Sequence, residues 1–229
     1  MSQKVFVSGA SKGIGLAIAQ RFLEQGFEVA ISASSEASIA QVQQQLPQIQ
    51  CFQADMSDKK QVLVLADWIN QFFGPLDVLV NNVGKFLPGA IHSESDEIFE
   101  TMMLTNLNSN YYLTKRVLPA MMERKSGTIF NICSIASIMA YANGGAYSIS
   151  KHALLGFSKV LREEMKPHGI RVVSVLPGAT LTASWEGVDL PPERLMPAKD
   201  IAAIVWDTYK LSPRTVVEEI LVRPQLGDL

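Results

Sequence analysis

The segment that decides the fold is residues 5–15, which read Val5-Phe6-Val7-Ser8-Gly9-Ala10-Ser11-Lys12-Gly13-Ile14-Gly15. Three apolar residues form a short predicted strand, and the glycines after it allow the chain to turn sharply. From Ile14 to Gln25 the apolar residues recur at helical spacing, and Gly26 is a residue type that ends helices. This order predicts a phosphate-binding turn, because the positive end of a helix favours an anion. On the glycine spacing alone, a tight turn without a ligand stays an alternative.

The alternation of strand and helix continues along the whole chain. It predicts the α/β class, with a doubly wound parallel sheet of about seven strands and helices on both faces. Because no linker, repeat or low-complexity stretch interrupts the pattern, we expect a single domain over residues 1–229. The predicted strands are 5–7, 28–33, 49–53, 78–80, 128–133, 172–176 and 216–222. The predicted helices are 14–25, 37–46, 59–73, 95–123, 146–166 and 200–211.

One irregular stretch, residues 178–197, follows the sixth predicted strand. It contains glycines, prolines and a tryptophan rather than a periodic pattern. Ligands of a doubly wound sheet bind beyond the carboxyl ends of the strands. We therefore expect this stretch to form a substrate lid, with Trp185, Glu186 and Asp189 as candidate substrate contacts.

The composition argues against several other classes of protein. The formal net charge is -2, and the 20 lysines and arginines are scattered rather than clustered as in a nucleic-acid binder. No apolar run approaches the ~18 residues of a membrane-spanning helix, and the first strand begins too early for a signal peptide. The two cysteines and three histidines lack metal-ligand spacing. We expect a cytoplasmic protein with reduced thiols, without a metal, a nucleic-acid partner or a membrane contact.

Three polar side chains predict a site for proton transfer. Tyr147 and Lys151 are four residues apart in a predicted helix and therefore share one face. An ammonium group beside a phenol is expected to lower the pKa of the tyrosine, which suits an acid/base group. Ser134 directly follows a strand, where its hydroxyl can polarise a substrate carbonyl. Each of these features alone is ordinary, and the prediction depends on their combination.

These motifs together resemble the short-chain dehydrogenase/reductase family over nearly the whole chain. The pattern G-x-x-x-G-x-G lies at residues 9–15, and Tyr-x-x-x-Lys lies at residues 147–151. Residues 81–84 read Asn-Asn-Val-Gly where the family usually has Asn-Asn-Ala-Gly, so Val83 is a small apolar departure. The resemblance implies an oxidoreductase that uses a nicotinamide dinucleotide.

The resemblance also implies roles for individual residues. Ser134, Tyr147 and Lys151 are the implied catalytic residues, and Asn106 is implied to hold a water near the lysine. Ser137 is a competing serine, but the family's spacing to the tyrosine favours Ser134. The implied cofactor contacts are Gly9, Ser11, Lys12, Gly13, Ile14, Gly15, Ser34, Asp55, Met56, Asn82, Gly84, Tyr147, Lys151, Pro177, Gly178 and Thr180.

The end of the second predicted strand indicates the choice of cofactor. Ala33 stands where relatives that prefer NAD carry aspartate, which binds the ribose hydroxyls. Lys12 stands where relatives that prefer NADP often carry a basic residue, and Ser34 and Ser35 can donate to a 2′-phosphate. The absence of an arginine at Ser34 and the nearby Glu36 count against this interpretation. We predict NADP(H) as the cofactor.

Residues 214–224, with Pro177-Gly178-Ala179 and Trp185, look like bacterial sepiapterin reductases and benzil-type diketone reductases. This likeness implies reduction of a ketone or dicarbonyl, including a pterin side chain, with Asp189 or Glu186 as an acidic anchor. A 3-oxoacyl-thioester reductase, a sugar or polyol dehydrogenase and a non-catalytic NADP(H)-binding redox sensor remain alternatives.

Relatives in the family are commonly dimers or tetramers. They assemble through two long helices, which correspond here to residues 95–123 and 146–166. The resemblance therefore implies a homodimer or homotetramer. Candidate interface residues are Phe99, Tyr111, Tyr112, Phe157 and Leu161.

Overall fold

Strands and helices alternate in the computed structural model, which describes residues 2–185 and 187–228. The strands are β1 (Lys4–Val7), β2 (Glu28–Ala33), β3 (Gln50–Gln53), β4 (Val78–Asn81), β5 (Gly127–Ile132), β6 (Ile170–Pro177) and β7 (Glu219–Val222). The helices are α1 (Gly13–Glu24), α2 (Glu36–Gln45), α3 (Lys59–Trp68), α4 (Asp96–Met103), α5 (Ser109–Arg124), α6 (Gly145–Met165) and α7 (Ala198–Tyr209).

All seven strands lie in one parallel sheet with the order β3-β2-β1-β4-β5-β6-β7. Parallel pairing places every carboxyl end at the same edge of the sheet. The strand order reverses between β1 and β4, and in a doubly wound sheet the crevice for a ligand opens at such a reversal. The predicted fold class is therefore confirmed.

Two layers of apolar side chains cover the two faces of the sheet. Val5 and Val7 of β1 pack with α1 and α7, whereas Phe6 between them packs with α3 and α5 on the opposite face. Successive side chains of a strand point to opposite faces. The strands therefore need continuous apolar runs, because both faces are covered by helices.

The stretch predicted as one long helix over residues 95–123 is instead interrupted. A π-helical turn, Leu104–Asn108, separates α4 from α5. A π-turn accommodates one extra residue, so Asn106 is fully buried while Leu113 of α5 still packs against the sheet. A second π-turn, Ile69–Phe73, follows α3 within the stretch predicted as helix 59–73.

The seventh strand is shorter than predicted. Pairing with β6 begins at Glu219, opposite Ser174, rather than at Val216. The backbone N–H of Ser174 donates to the carbonyl of Glu218 at 2.8 Å, which marks the point where the chain joins the sheet.

Among residues 2–185 and 187–228, no helix is both long and apolar enough to cross a bilayer. Within the same residues, no group of three or more His, Cys, Asp or Glu side chains is arranged to hold a metal ion.

Candidate active site

The turn between β1 and α1 has the backbone that a phosphate-binding loop requires. Gly9 and Gly13 both have φ of 59°, a left-handed conformation that a Cβ disfavours. At Gly15 an added Cβ would clash with Nδ2 of Asn82, so only glycine allows this close approach. The first turn of α1, with its free N–H groups, therefore lies at the carboxyl edge of the sheet.

Ser8 and Asn82 join this turn to the end of β4. Nδ2 of Asn82 donates to the carbonyl oxygens of Ser8 and Gly9, at 3.0 and 2.9 Å. The hydroxyl of Ser8 accepts from the backbone N–H groups of Asn82 and Val83, at 3.0 and 3.1 Å. Sequence reasoning missed Ser8, although its place directly after β1 was the available signal. The four hydrogen bonds fix the turn where the strand order reverses.

A cavity of about 920 Å³ extends from this turn along the carboxyl edge of the sheet. That volume lies in the range of small-molecule and cofactor sites. Most predicted site residues line this cavity, including Ser134 and Trp185. The predicted cofactor contacts in its wall are Gly9, Ser11, Lys12, Gly13, Ile14, Gly15, Ser34, Asp55, Met56, Asn82, Gly84, Tyr147, Lys151, Pro177, Gly178 and Thr180.

The end of the cavity near β2 carries the residues predicted to select the cofactor. Lys12 and Ser34 are exposed at its rim. Ser35 has a different role: its hydroxyl caps α2 by accepting from the N–H of Ser38 at 3.3 Å. Of the two serines predicted to meet a 2′-phosphate, Ser34 is the one among the described residues that lines the cavity.

Tyr147, Ser134 and Lys151 meet at the other end of the cavity. Nζ of Lys151 donates to the carbonyl oxygen of Ile132, the last residue of β5, at 2.9 Å. The same nitrogen lies 6.0 Å from the centre of the Tyr147 ring. Ser134 lies two residues beyond the end of β5, and its hydroxyl interacts with the Tyr147 phenol. The competing Ser137 is instead buried as a capping partner, with Oγ accepting from the N–H of Ser134 at 3.2 Å.

The protonation of this group differs from the sequence-based prediction. Burial raises the pKa of Tyr147 to about 12, and the hydrogen bond with Ser134 only partly opposes that effect. Burial also lowers the pKa of Lys151 to about 8. The prediction that Lys151 lowers the pKa of Tyr147 was wrong for these residues, because desolvation dominates both side chains. The phenol is therefore protonated at neutral pH, as a proton donor must be.

The buried side chain of Asn106 connects two segments of the site by hydrogen bonds. Its Oδ1 accepts from the N–H of Lys85 at 2.7 Å, and its Nδ2 donates to the carbonyl of Lys85 at 3.0 Å and to Oγ of Ser150 at 2.9 Å. Oγ of Ser150 donates in turn to the carbonyl oxygen of Tyr147 at 2.7 Å. Asn106 thus links the segment after β4 to the first turns of α6, and its role in holding a water stays a prediction.

Backbone contacts join the two ends of residues 178–197, the stretch predicted as a lid. Thr180 pairs with Met196 in a parallel bridge, and Leu181 N donates to the carbonyl of Met196 at 2.8 Å. Trp185 lines the cavity, and its contact with a substrate stays a prediction. Asp189 is exposed and, among the described residues, is not part of the cavity wall. Glu186, the other acidic candidate, lies outside the described residues.

The sequence did not indicate several further residues of the cavity wall. Asp228 enters the cavity wall from the C-terminal segment, where its carboxylate pairs with Arg223 at 2.5 Å. Phe86 packs edge-on against Tyr147, with ring centres 4.9 Å apart. Met139 and Tyr141 add further apolar surface. These contacts depend on the folded path of loops, and no local motif marks them.

With this geometry in place, comparison with known proteins identifies the family. The family model described as short chain dehydrogenase matches residues 3–191. The chain therefore belongs to the short-chain dehydrogenase family and is an oxidoreductase of that family.

Three individual relatives are similar to this chain over nearly its whole length. The sepiapterin reductase of Chlorobaculum tepidum is 34% identical over 246 residues, with 100% of this chain and 99% of the relative covered. The structure of a single-substitution variant of actinorhodin polyketide ketoreductase with NADPH is 28% identical, has a TM-score of 0.90 and covers 100% of this chain and 98% of its own. A closed form of serine dehydrogenase complexed with NADP⁺ is 28% identical, with a TM-score of 0.87 over 96% of this chain and 94% of its own.

The buried lysine gives a testable consequence for stability. Because burial lowers the pKa of Lys151 from 10.5 to about 8, its charge destabilises the folded state below pH 8, and this penalty disappears as the pH rises toward 10.5. Lys151→Met should therefore raise the free energy of unfolding at pH 7 by about 1–2 kcal/mol, after loss of the bond to Ile132. Urea unfolding at pH 7 and pH 10 measures this gain, which should shrink at the higher pH. The exposed Lys60→Met is the control, and a variant less stable than wild type at pH 7 would contradict the reasoning.

Proposed function

We propose that the protein is an NADP(H)-dependent carbonyl reductase that converts a ketone or dicarbonyl to an alcohol. One observation carries the proposal: Ser134, Tyr147 and Lys151 share one cavity with the glycine turn after β1. The positive φ angles of Gly9 and Gly13 and the free first turn of α1 fit a dinucleotide pyrophosphate. The NADPH- and NADP⁺-bound relatives support this choice of cofactor.

The residues divide the chemistry between them. When bound, the reduced nicotinamide supplies the hydride. Ser134 donates a hydrogen bond to the substrate carbonyl oxygen and stabilises the charge that develops there. Tyr147, whose pKa burial raises further above neutral, to about 12, gives its phenolic proton to that oxygen. Lys151 binds the nicotinamide ribose and stabilises the phenolate that proton transfer leaves behind.

The phenol is the group on which turnover depends. Tyr147→Phe removes the proton donor and keeps the ring, so kcat should fall by about a thousandfold. NADPH binding, followed by protein fluorescence, should stay near that of wild type. Tyr209→Phe, whose hydroxyl accepts from Gln3 far from the cavity, is the matched control. Retained turnover in Tyr147→Phe would refute the assignment.

Lys12 is proposed to select NADP(H) by pairing with the 2′-phosphate. It is exposed at the rim of the cavity, beside Ser34, and Ala33 leaves no carboxylate at the end of β2 to repel that phosphate.

Lys12→Ala should raise the KM for NADPH by about tenfold while changing that for NADH far less, because a charge-assisted contact is lost only with the phosphate. Steady-state kinetics with both cofactors measures the effect, and Lys60→Ala serves as the control. Equal losses with NADPH and NADH would show that Lys12 does not contact the phosphate.

For the substrate we propose a dicarbonyl or a ketone on a pterin side chain. The likeness to the Chlorobaculum tepidum sepiapterin reductase supports this class. The apolar wall formed by Phe86, Tyr141 and Trp185 suits a flat ring. Asp55 and Asp228 both lie in the cavity wall, whereas Asp189 is not part of it. Because Asp55 is a proposed cofactor contact, Asp228 is the acidic residue that we propose for the substrate, and its carboxylate can accept hydrogen bonds from ring N–H groups. Residues 178–197, which carry Trp185, are proposed to act as the lid.

Asp228→Asn should therefore raise the KM for sepiapterin by about tenfold and leave that for benzil, which has no N–H group, nearly unchanged. Asp189→Asn, which changes an exposed carboxylate outside the cavity wall, is the matched control. If Asp228→Asn affects sepiapterin and benzil equally, the carboxylate shapes the wall and does not anchor the ring.

The likeness to a polyketide ketoreductase favours one alternative, a 3-oxoacyl-thioester reductase. NADPH consumption with sepiapterin, benzil, another 1,2-diketone, an acetoacetyl thioester and a simple aldehyde distinguishes the two. Preference for the thioester would favour the alternative. A protein that binds NADPH and consumes none would instead be a redox sensor, which the presence of Ser134, Tyr147 and Lys151 argues against.

We also propose a homodimer or homotetramer in the cytoplasm. Phe99 and Tyr111 are exposed on α4 and α5, which suits an interface there, whereas Leu161 is buried in the core of this chain and cannot contribute. Both cysteines are free thiols, as expected in a reducing compartment. Sedimentation velocity decides the oligomeric state.

A further inference from the structure

The first turn of α6 lacks a capping side chain of its own. The residue at the N-cap position, Gly144, has no side chain to accept from the free N–H groups of the helix. This turn also carries Tyr147, the third residue of α6. Whatever holds the turn therefore holds the phenol.

Glu94 supplies the missing acceptor from another part of the chain. Its carboxylate oxygens lie 3.2 and 3.4 Å from the backbone nitrogen of Ala146, which donates to them. A negative carboxylate beside the positive end of a helix is stabilising. The backbone of Glu94 is itself fixed, because its N–H donates to the carbonyl of Ala90 at 2.8 Å.

The glycines around this contact leave room only for the carboxylate. A Cβ on Gly145 would lie 2.6 Å from Oε2 of Glu94 and 2.5 Å from the carbonyl oxygen of Gly89. Gly89 also pairs with Gly144 in a parallel bridge, and its N–H donates to the carbonyl of Asn143 at 3.0 Å. The segment ending at Glu94 is thus docked against the start of α6 by backbone and side chain together.

The start of the same segment, Lys85 and Phe86, lines the cavity that holds Tyr147. We call residues 85–94 the cover segment. At its start, Asn106 holds the backbone of Lys85 by two hydrogen bonds, at 2.7 and 3.0 Å. Next to it, Phe86 packs against the Tyr147 ring with a centre-to-centre distance of 4.9 Å. At the other end of the cover segment, Glu94 accepts from the N–H of Ala146. The segment is therefore held at Lys85 and at Glu94, and Phe86 between them contacts Tyr147.

We propose that Glu94 is a positioning residue for the reaction: its carboxylate caps α6, fixes the cover segment against it and so sets the place of the Tyr147 phenol. The proposal rests on the proposed function in one respect only, that Tyr147 is the proton donor. Small displacements of a reacting group cost much of the rate. The larger effect is expected in kcat rather than in the KM for NADPH, because the capped turn carries Tyr147, whereas the pyrophosphate is proposed to bind at the glycine turn after β1.

Glu94→Ala, Glu94→Gln and Glu100→Ala test this proposal. Glu100 is an exposed carboxylate on α4 and serves as the control. Glu94→Ala should lower kcat by about tenfold with the KM for NADPH changed less than about twofold. Glu94→Gln keeps an oxygen that accepts from Ala146 and should restore most of kcat. An unchanged kcat in Glu94→Ala would overturn the proposal, and so would equal losses in Glu94→Ala and Glu94→Gln.

A second readout is independent of turnover. Amide hydrogen exchange of the peptide covering residues 142–151 should be faster in Glu94→Ala than in wild type and in Glu100→Ala, because the Ala146 N–H loses its acceptor. If the wild-type protein reduces no carbonyl compound, the proposed function fails and the exchange comparison still decides whether Glu94 caps the turn. Unchanged exchange in Glu94→Ala would refute the capping role whatever the activity.

Discussion

The end of the cavity that holds Tyr147 depends on a positive charge that the fold keeps out of water. Lys151 is only 4% exposed, and removing an ammonium group from water costs several kcal/mol. The sheet compensates in part through the Ile132 carbonyl that the ammonium meets at the end of β5. Gly84 leaves it room, since a Cβ there would lie 3.3 Å from Nζ. The same exclusion of water that disfavours the ammonium keeps the neighbouring phenol protonated.

Features set by local pattern could be predicted well from the sequence. The strand, glycine turn and helix of residues 5–15 predicted both the sheet and the site, because a parallel sheet brings all carboxyl ends to one edge. Nearly all residues implied by the family resemblance line one cavity for the same reason. Asn106 is the exception among the implied catalytic residues, since its amide is engaged by Lys85 and Ser150 rather than lining that cavity.

Features set by burial or by distant contacts could not be predicted in this way. The direction of the Tyr147 pKa depends on how completely the fold excludes water, which helical spacing does not reveal. Asp228 reaches the cavity because the segment after β7 folds back over Gly178, where an added Cβ would lie 3.1 Å from its Oδ1. Beyond the glycine turn and the strand ends, the cavity wall is thus assembled from Lys85 and Phe86, the stretch near Tyr141, part of residues 178–188 and Asp228. Loops on a rigid scaffold commonly carry specificity in this way.

The π-turn between α4 and α5 constrains how the chain can change in length. Each residue of a helix advances it by about 1.5 Å and turns it by about 100°. Deleting one residue from Leu104–Asn108 would restore a regular α-helix, but it would also rotate α4 relative to α5 about the helix axis. Either Asn106 would leave Lys85 and Ser150, or Leu113 and its neighbours would turn away from the sheet. Single-residue deletions in this turn should therefore be far less tolerated than substitutions on its exposed side, such as at Leu104.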